Sequence, residues 1–245
     1  NVELLFSTAR DNDKLQQQQI DSFINRGVDL LIISPNQVNT ITPAIERAYK
    51  KGIPVVLFDR KTESAHYTAF MGADNYQIGR VMGEYIAHIL GEKGNLVEIR
   101  GLEQSSPAID RHRGLIDALR RHPGVRLVDS QAGDWSEQSG VRAMERILSR
   151  NGEIDCVFGQ NDRMALGARK VLMSRLPGSK TKFVGIDALA TPGGGIREVK
   201  DGHLDASYIY PTRGDKLLQL AMNILEHKPY QKENLLEAAI VTPDN

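Results

Sequence analysis

With 245 residues, 40% of them hydrophobic, the chain can bury a sizeable core in one or two domains. Its 31 Lys and Arg balance 31 Asp and Glu, which argues against the basic face or stripe that nucleic acid requires. A single cysteine, Cys156, excludes an internal disulfide, the six histidines show no metal-ligand spacing, and no run approaches the ~18 apolar residues of a membrane helix.

Residues 2–7 (Val-Glu-Leu-Leu-Phe-Ser) read as a strand at the very opening, which is not the pattern of a signal peptide. A helix over 13–25 follows, with Gly27 just past its end, where a left-handed residue is wanted. Residues 28–34 form a fully apolar strand and 40–51 a helix that stops at Gly52. The next strand, 53–58, is apolar without alternation, as suits a parallel strand covered on both faces, and it stops on Asp59 and Arg60. A short strand over 68–71 ends in Gly72-Ala73-Asp74-Asn75. The helix over 76–90 places Ile78, Met82, Tyr85, Ile86 and Ile89 on one side. A strand over 95–100 leads into a polar loop, 101–107, after which the pattern restarts.

The second block reads as helix 108–121, strand and loop 126–133, helix 137–150, strand 156–160, helix 162–173 and strand 182–187. Then come a loop over 188–195 with Pro192 and three glycines, a short helix 196–201, a strand 204–210 bounded by Pro211, and a helix 212–226. A strand over 235–241 closes the chain. Alternation of this kind predicts an α/β fold of parallel sheets flanked by helices, in two similar blocks meeting near Gly101.

Several buried strands end in polar residues. Asp59 and Arg60 end one, Asn161 another and Asp187 a third; Arg111 follows the restart, and Trp135 adds an aromatic ring. In open α/β sheets ligands bind beyond the carboxyl ends of the strands. Carboxylates and amides exchange hydrogen bonds with vicinal hydroxyls, arginine donates through a rigid fork, and an aromatic face covers the apolar side of a sugar ring. Plainer readings stand beside this one: Asn161 and Asp187 as helix caps, Trp135 as core, Arg111 as a solvated helix residue, and the histidines as surface. Enzyme motifs are weak. Gly193-Gly194-Gly195 lacks dinucleotide-loop spacing, Gly178-Ser179-Lys180-Thr181 lacks the leading glycine of a P-loop, and neither G-x-S-x-G nor H-E-x-x-H occurs. No cofactor and no metal is expected.

The stretches 52–60, 72–75, 160–167 (Gln-Asn-Asp-Arg-Met-Ala-Leu-Gly) and 184–187 together resemble the type I periplasmic binding proteins of the ribose-binding kind. Residues 185–189, 209–212, 214–216 and 228–230 are similar to the periplasmic sugar-sensing domains of hybrid two-component sensor kinases, including a fructose-responsive one. The resemblance implies a two-lobed fold, with lobe one at 1–100 plus 211–239 and lobe two at 101–210 plus 240–245. It implies hinge crossings near 100–101, 208–211 and 239–241. It implies no catalysis and a monosaccharide held by Asp59, Arg60, Arg111, Trp135, Asn161, Asp187 and, in a looser alignment, Tyr210. The first βα unit of lobe one has no counterpart before Val2. The expectation is that about 30 residues, one βαβ unit's length, lie upstream, or that lobe one is distorted.

The implied function is a periplasmic sensor domain that closes on a sugar and signals to a membrane-bound histidine kinase module of the same chain, with no direct contact to nucleic acid. Fructose or a similar sugar is the implied ligand, and a homodimer is compatible with it. The alternatives are a solute-binding protein of a sugar ABC transporter and the effector domain of a LacI-type repressor.

Overall fold

The computed structural model describes residues 2–245. The first elements are α1 (Asp13–Arg26), β1 (Leu31–Ile33), α2 (Val38–Lys50), β2 (Val55–Phe58) and β3 (Ala69–Gly72). Next come α3 (Asn75–Ile89), β4 (Gly94–Arg100), α4 (Ser106–Leu119), β5 (Val125–Ala132), α5 (Glu137–Leu148) and β6 (Cys156–Gly159). The chain continues with α6 (Asp162–Arg175), β7 (Lys182–Asp187), α7 (Gly195–Lys200), β8 (Ala206–Ile209), α8 (Gly214–Leu225), β9 (Glu233–Leu235) and β10 (Ile240–Val241). They divide into two compact units. The first runs through Gly72 and adds Gln104–Ser106 and Thr212–Leu236; the second comprises Ala73–Glu103, Pro107–Pro211 and Glu237–Asn245.

The first unit holds a parallel sheet in the order β1-β2-β3-β9. Successive side chains of β2 point to opposite faces, so an uninterrupted apolar run is what a two-sided core demands. Val55 and Leu57 pack with Ile20, Ile24, Ile41 and Ile45 of α1 and α2, whereas Val56 packs with Leu217, Leu220 and Ile224 of α8. Helix α1 begins where the Asn12 side chain accepts from the Leu15 N–H at 2.9 Å and ends at Gly27, whose φ of 71° favours a residue without Cβ.

The strand expected over residues 2–7 is not formed. Val2, Leu4 and Phe6 are 63%, 73% and 86% exposed. An extended segment becomes a strand only by joining a ladder, and among the described residues no ladder includes this one.

The second unit holds a six-stranded sheet, β10-β8-β7-β6-β4-β5, parallel except for the antiparallel β10–β8 pair. Ile78, Met82 and Ile86 of α3 pack with Leu115 and Leu119 of α4 over one face, against Leu96, Phe158 and Val184. On the other face, Ala143, Met144 and Ile147 of α5 and Met164, Ala168 and Leu172 of α6 cover Val97, Ile99, Val157 and Phe183.

This arrangement corrects the expected division at residue 100. The chain passes from one unit to the other after Gly72, so α3 and β4 belong with the second sheet, where β4 lies between β5 and β6. Continuous β/α alternation states the order of strands but not which sheet receives them, so the crossing at 72–73 left no mark in the periodicity. The return passage falls at Pro211–Thr212 and the last at Leu236–Glu237. The last passage also splits the single strand expected over 235–241: β9 joins the first sheet and β10 the second. Residues 237–239, expected in the first lobe, lie in the second unit.

Candidate functional site

Strand order in the second unit creates a switch point. From β4 the chain moves outward to β5, then returns past β4 to β6 and continues to β7 and β8. The loops after β4 and β6 therefore leave in opposite directions, which opens a crevice at the carboxyl ends of these strands. Gly101, Gln160 and Asn161 stand there.

Arg111 lies in the second turn of α4 and is only 3% exposed, not solvated. Its Nε donates to Asn75 Oδ1 at 2.9 Å and its Nη1 to the Gln160 carbonyl at 2.6 Å. Its guanidinium carbon stands 5.6 Å from the centre of the Trp135 ring and 5.1 Å from that of Tyr210. Both separations are within cation–π range, and the two rings fix the plane of the guanidinium. Close helix packing makes this possible. A Cβ on Gly79 of α3 would sit 2.0 Å from the Arg111 carbonyl, and one on Gly114 of α4 would sit 2.1 Å from the Tyr76 carbonyl.

Trp135 adopts φ 72° in the loop after β5. Its ring lies directly on the Gly101 backbone, where a Cβ would come within 1.9 Å of the indole. Asn161 performs two tasks. Its Oδ1 accepts from the Met164 N–H at 2.9 Å, so it does cap α6, and its Nδ2 donates to the Trp135 carbonyl at 2.9 Å. The cap reading is therefore correct, and the same side chain also anchors the Trp135 backbone.

Asp187 does not cap a helix; α7 starts after Gly194. It ends β7 at φ 121°, followed by Ala188 at φ 43°, and its carbonyl accepts from the Tyr210 N–H at 3.1 Å. Two consecutive non-glycine residues at positive φ mark stored strain that neighbours must hold. Asp162 and Ser207 hold it. The Ala188 N–H donates to Asp162 Oδ2 at 2.8 Å and Ser207 Oγ at 3.1 Å, and Ser207 Oγ donates to Asp162 Oδ1 at 2.6 Å. Gly185 and Gly195 let backbone close on this carboxyl, since a Cβ at either would lie 2.2 and 2.0 Å from its oxygens. Burial pushes the Asp162 carboxyl up to about 7, with the nearby Asp187 charge adding to the rise and the Ser207 and Ala188 hydrogen bonds opposing it.

In the first unit, Asp59 and Arg60 follow β2. Asp59 takes φ 66°, its N–H donates to the Met71 carbonyl at 2.9 Å, and its Oδ2 lies 3.7 Å from Arg60 Nε. Arg60 Nη1 donates to the Asn36 carbonyl at 3.1 Å. The Asn36 side chain is itself buried and donates to the Asp11 carbonyl at 3.1 Å.

The structure thus gathers Arg111, Trp135, Asn161, Asp187 and Tyr210 within the second unit and pairs Asp59 with Arg60 in the first. Sequence reasoning missed Asn36, Asn75, Glu98, Gln160 and Asp162. A lone charge inside the apolar β4 run, Glu98, was the clearest available signal. It is fully buried and accepts from Gln160 Nε2 at 2.9 Å and Ser130 Oγ at 2.8 Å, with His112 Nδ1 at 2.6 Å. His112 is therefore half-buried against Glu98 rather than a freely solvated surface residue, and contact with Glu98 raises its pKa. Among the described residues no cluster of His, Cys, Asp and Glu could hold a metal ion, and no helix is long and apolar enough to cross a membrane.

A periplasmic binding protein domain model matches residues 1–229. The fructose-binding periplasmic domain of a hybrid two-component system superposes with a TM-score of 0.97 at 46% identity, covering 99% of this chain and 81% of that one. The ribose import binding protein of Escherichia coli is 29% identical over 240 residues, 97% of this chain and 79% of its own length. The xylitol-binding protein of Mycolicibacterium smegmatis is 31% identical over 203 residues, 82% of this chain, and the chain spans 57% of that relative's length. The chain belongs to the periplasmic binding protein domain family, with the two-lobed α/β fold of its ribose-binding-like members.

Proposed function

We propose that this chain is a periplasmic monosaccharide-binding sensor domain, with fructose or a closely similar sugar as its ligand. Its closure on the ligand is the signal passed to a histidine kinase of the same membrane-anchored protein. The observation that carries the reading is Arg111, buried and within cation–π range of Trp135 and Tyr210, whose backbones are held by Asn161 and Asp187. That set offers a fixed donor fork, an amide, a carboxylate and two rings, the complement of a polyhydroxylated ring. Asp59 and Arg60 are assigned as further ligand contacts. Support for sensing over transport comes from the 46% identity to a sensor domain, against 29% to a ribose import protein.

A thermal-shift series with D-fructose, D-ribose and xylitol tests the ligand. A hundredfold excess over Kd stabilises by about 2.7 kcal/mol. D-Fructose is expected to give the largest shift, and Arg111→Ala and Asp187→Ala each to abolish it. Buried polar groups left without their partners cost about 1–3 kcal/mol each, so sugar binding by both variants at wild-type affinity would refute the assignment. A second reading, an importer's solute-binding protein, is favoured by the ribose import relatives. A kinase module encoded downstream in the same gene supports sensing, and its absence supports import.

A further inference from the structure

We propose that Glu98, His112 and Gln160 form a positioning relay that sets Arg111 and Trp135 for ligand, with His112 as its solvent-facing end. The inference rests on the sugar-binding reading for its consequence and on geometry for its existence.

Gln160 is fully buried and uses every polar group it has. Its N–H donates to the Ile99 carbonyl at 2.9 Å, and its Oε1 accepts from the Gly101 N–H at 2.9 Å. Its Nε2 donates to Glu98 Oε1 at 2.9 Å and the Ala108 carbonyl at 3.1 Å, and its carbonyl receives Arg111 Nη1. The amide can make these bonds in one orientation only, and Glu98 selects it, because a carboxylate accepts and never donates. Glu98 in turn takes Gln160 on one oxygen and His112 with Ser130 on the other. Both outputs of the relay reach the site. One is the Gln160 carbonyl under Arg111; the other is Gly101, on whose backbone the Trp135 ring lies.

His112 is the one member with access to solvent, its side chain 33% exposed against 0% for Glu98. The charged groups acting on it are Glu98, which favours the imidazolium, and Arg100, which opposes it, both on β4. On its own helix Arg111 points to Gln160, and Asp110 pairs with Arg113. Protonation turns the His112–Glu98 hydrogen bond into an ion pair, which tightens the carboxylate that orients the amide. The relay is thus set more firmly below the raised His112 pKa than above it.

Trp135 is the only tryptophan, so its emission reports the relay without any ligand. We expect wild-type emission, followed from about pH 5.5 to about pH 8.5, to show a transition centred above the ordinary histidine value of about 6.5. In His112→Gln that transition disappears. Asp162 titrates in the same window, so both proteins are also followed with Asp162→Asn; a transition retained in His112→Gln on that background, or none in wild type, overturns the relay. Calorimetry with D-fructose and D-ribose supplies the second arm. At about pH 6 the variant is expected to bind about fivefold more weakly than wild type, and at about pH 8 nearly as wild type does. Equal affinity at both pH values would overturn the positioning role even if emission titrates. Failure of wild type to bind either sugar would overturn the sugar reading, while the emission arm still decides the relay. Glu98→Gln, where it folds, is expected to reproduce the loss of the transition. His112→Gln keeps the test decisive if it does not fold.

Discussion

Gly101 shows how much one hydrogen atom in place of a side chain can decide. Its backbone N–H is fixed by Gln160, and the Trp135 ring rests where its Cβ would stand. Gly101→Ala must push the indole away or move the end of β4, and overpacking of this kind costs about 1–3 kcal/mol. The expected outcome is a changed Trp135 emission and at least tenfold weaker sugar binding, with a moderate loss of thermal stability. Unchanged emission would mean that the ring does not rest on Gly101. At this scale the sequence was informative where a polar residue closes an apolar strand, as Asn161 and Asp187 do. It was silent on Gln160 and Asn75, because their work is done through partners 49 and 36 residues away, which no local pattern encodes.

At the scale of elements, the amino end of α6 joins packing to the site. Asn161 caps the helix and holds the Trp135 carbonyl, and Asp162 follows in the first turn, clamping the strained turn after β7. A side chain that both caps and positions should fail in two measurements together. Asn161→Ala is expected to cost about 1 kcal/mol in denaturant unfolding from the lost cap and to weaken sugar binding besides. Asn161→Asp restores the cap acceptor but has no donor for the Trp135 carbonyl, so stability should recover while affinity does not. If both recovered, Asn161 would be a cap and nothing more. Most elements were readable in the chain because periodicity and caps are local. Residues 2–7 were not, since their strand pattern is real but no ladder among the described residues receives it.

For the whole molecule, strand order and the passages between units were hidden, because an alternating pattern fits one sheet or two. Which unit a helix joins is decided by packing such as Ile78, Met82 and Ile86 against Leu96 and Phe158, a long-range choice. The same long-range burial gives the fold a measurable pH signature. Asp162 is taken out of water by the closing of Gly185 and Gly195 on its carboxyl, and its pKa rises from 3.8 to about 7. Between these values the folded protein holds more protons than the unfolded chain, so the contribution of Asp162 is complete below the unfolded pKa and is lost as pH rises toward the folded one. The slope reaches at most about 1.4 kcal/mol per pH unit. The raised pKa of His112 acts in the same direction, lost as pH climbs through its own folded value. Asp162→Asn keeps the shape and an acceptor for the Ala188 N–H while removing the titration. Its unfolding free energy should therefore vary less with pH between about 4 and about 7 than that of wild type, leaving the His112 share, which His112→Gln then removes. Parallel curves for wild type and Asp162→Asn would show that Asp162 keeps its charge in the fold, and the carboxyl that clamps the Asp187 turn would then be ionised throughout.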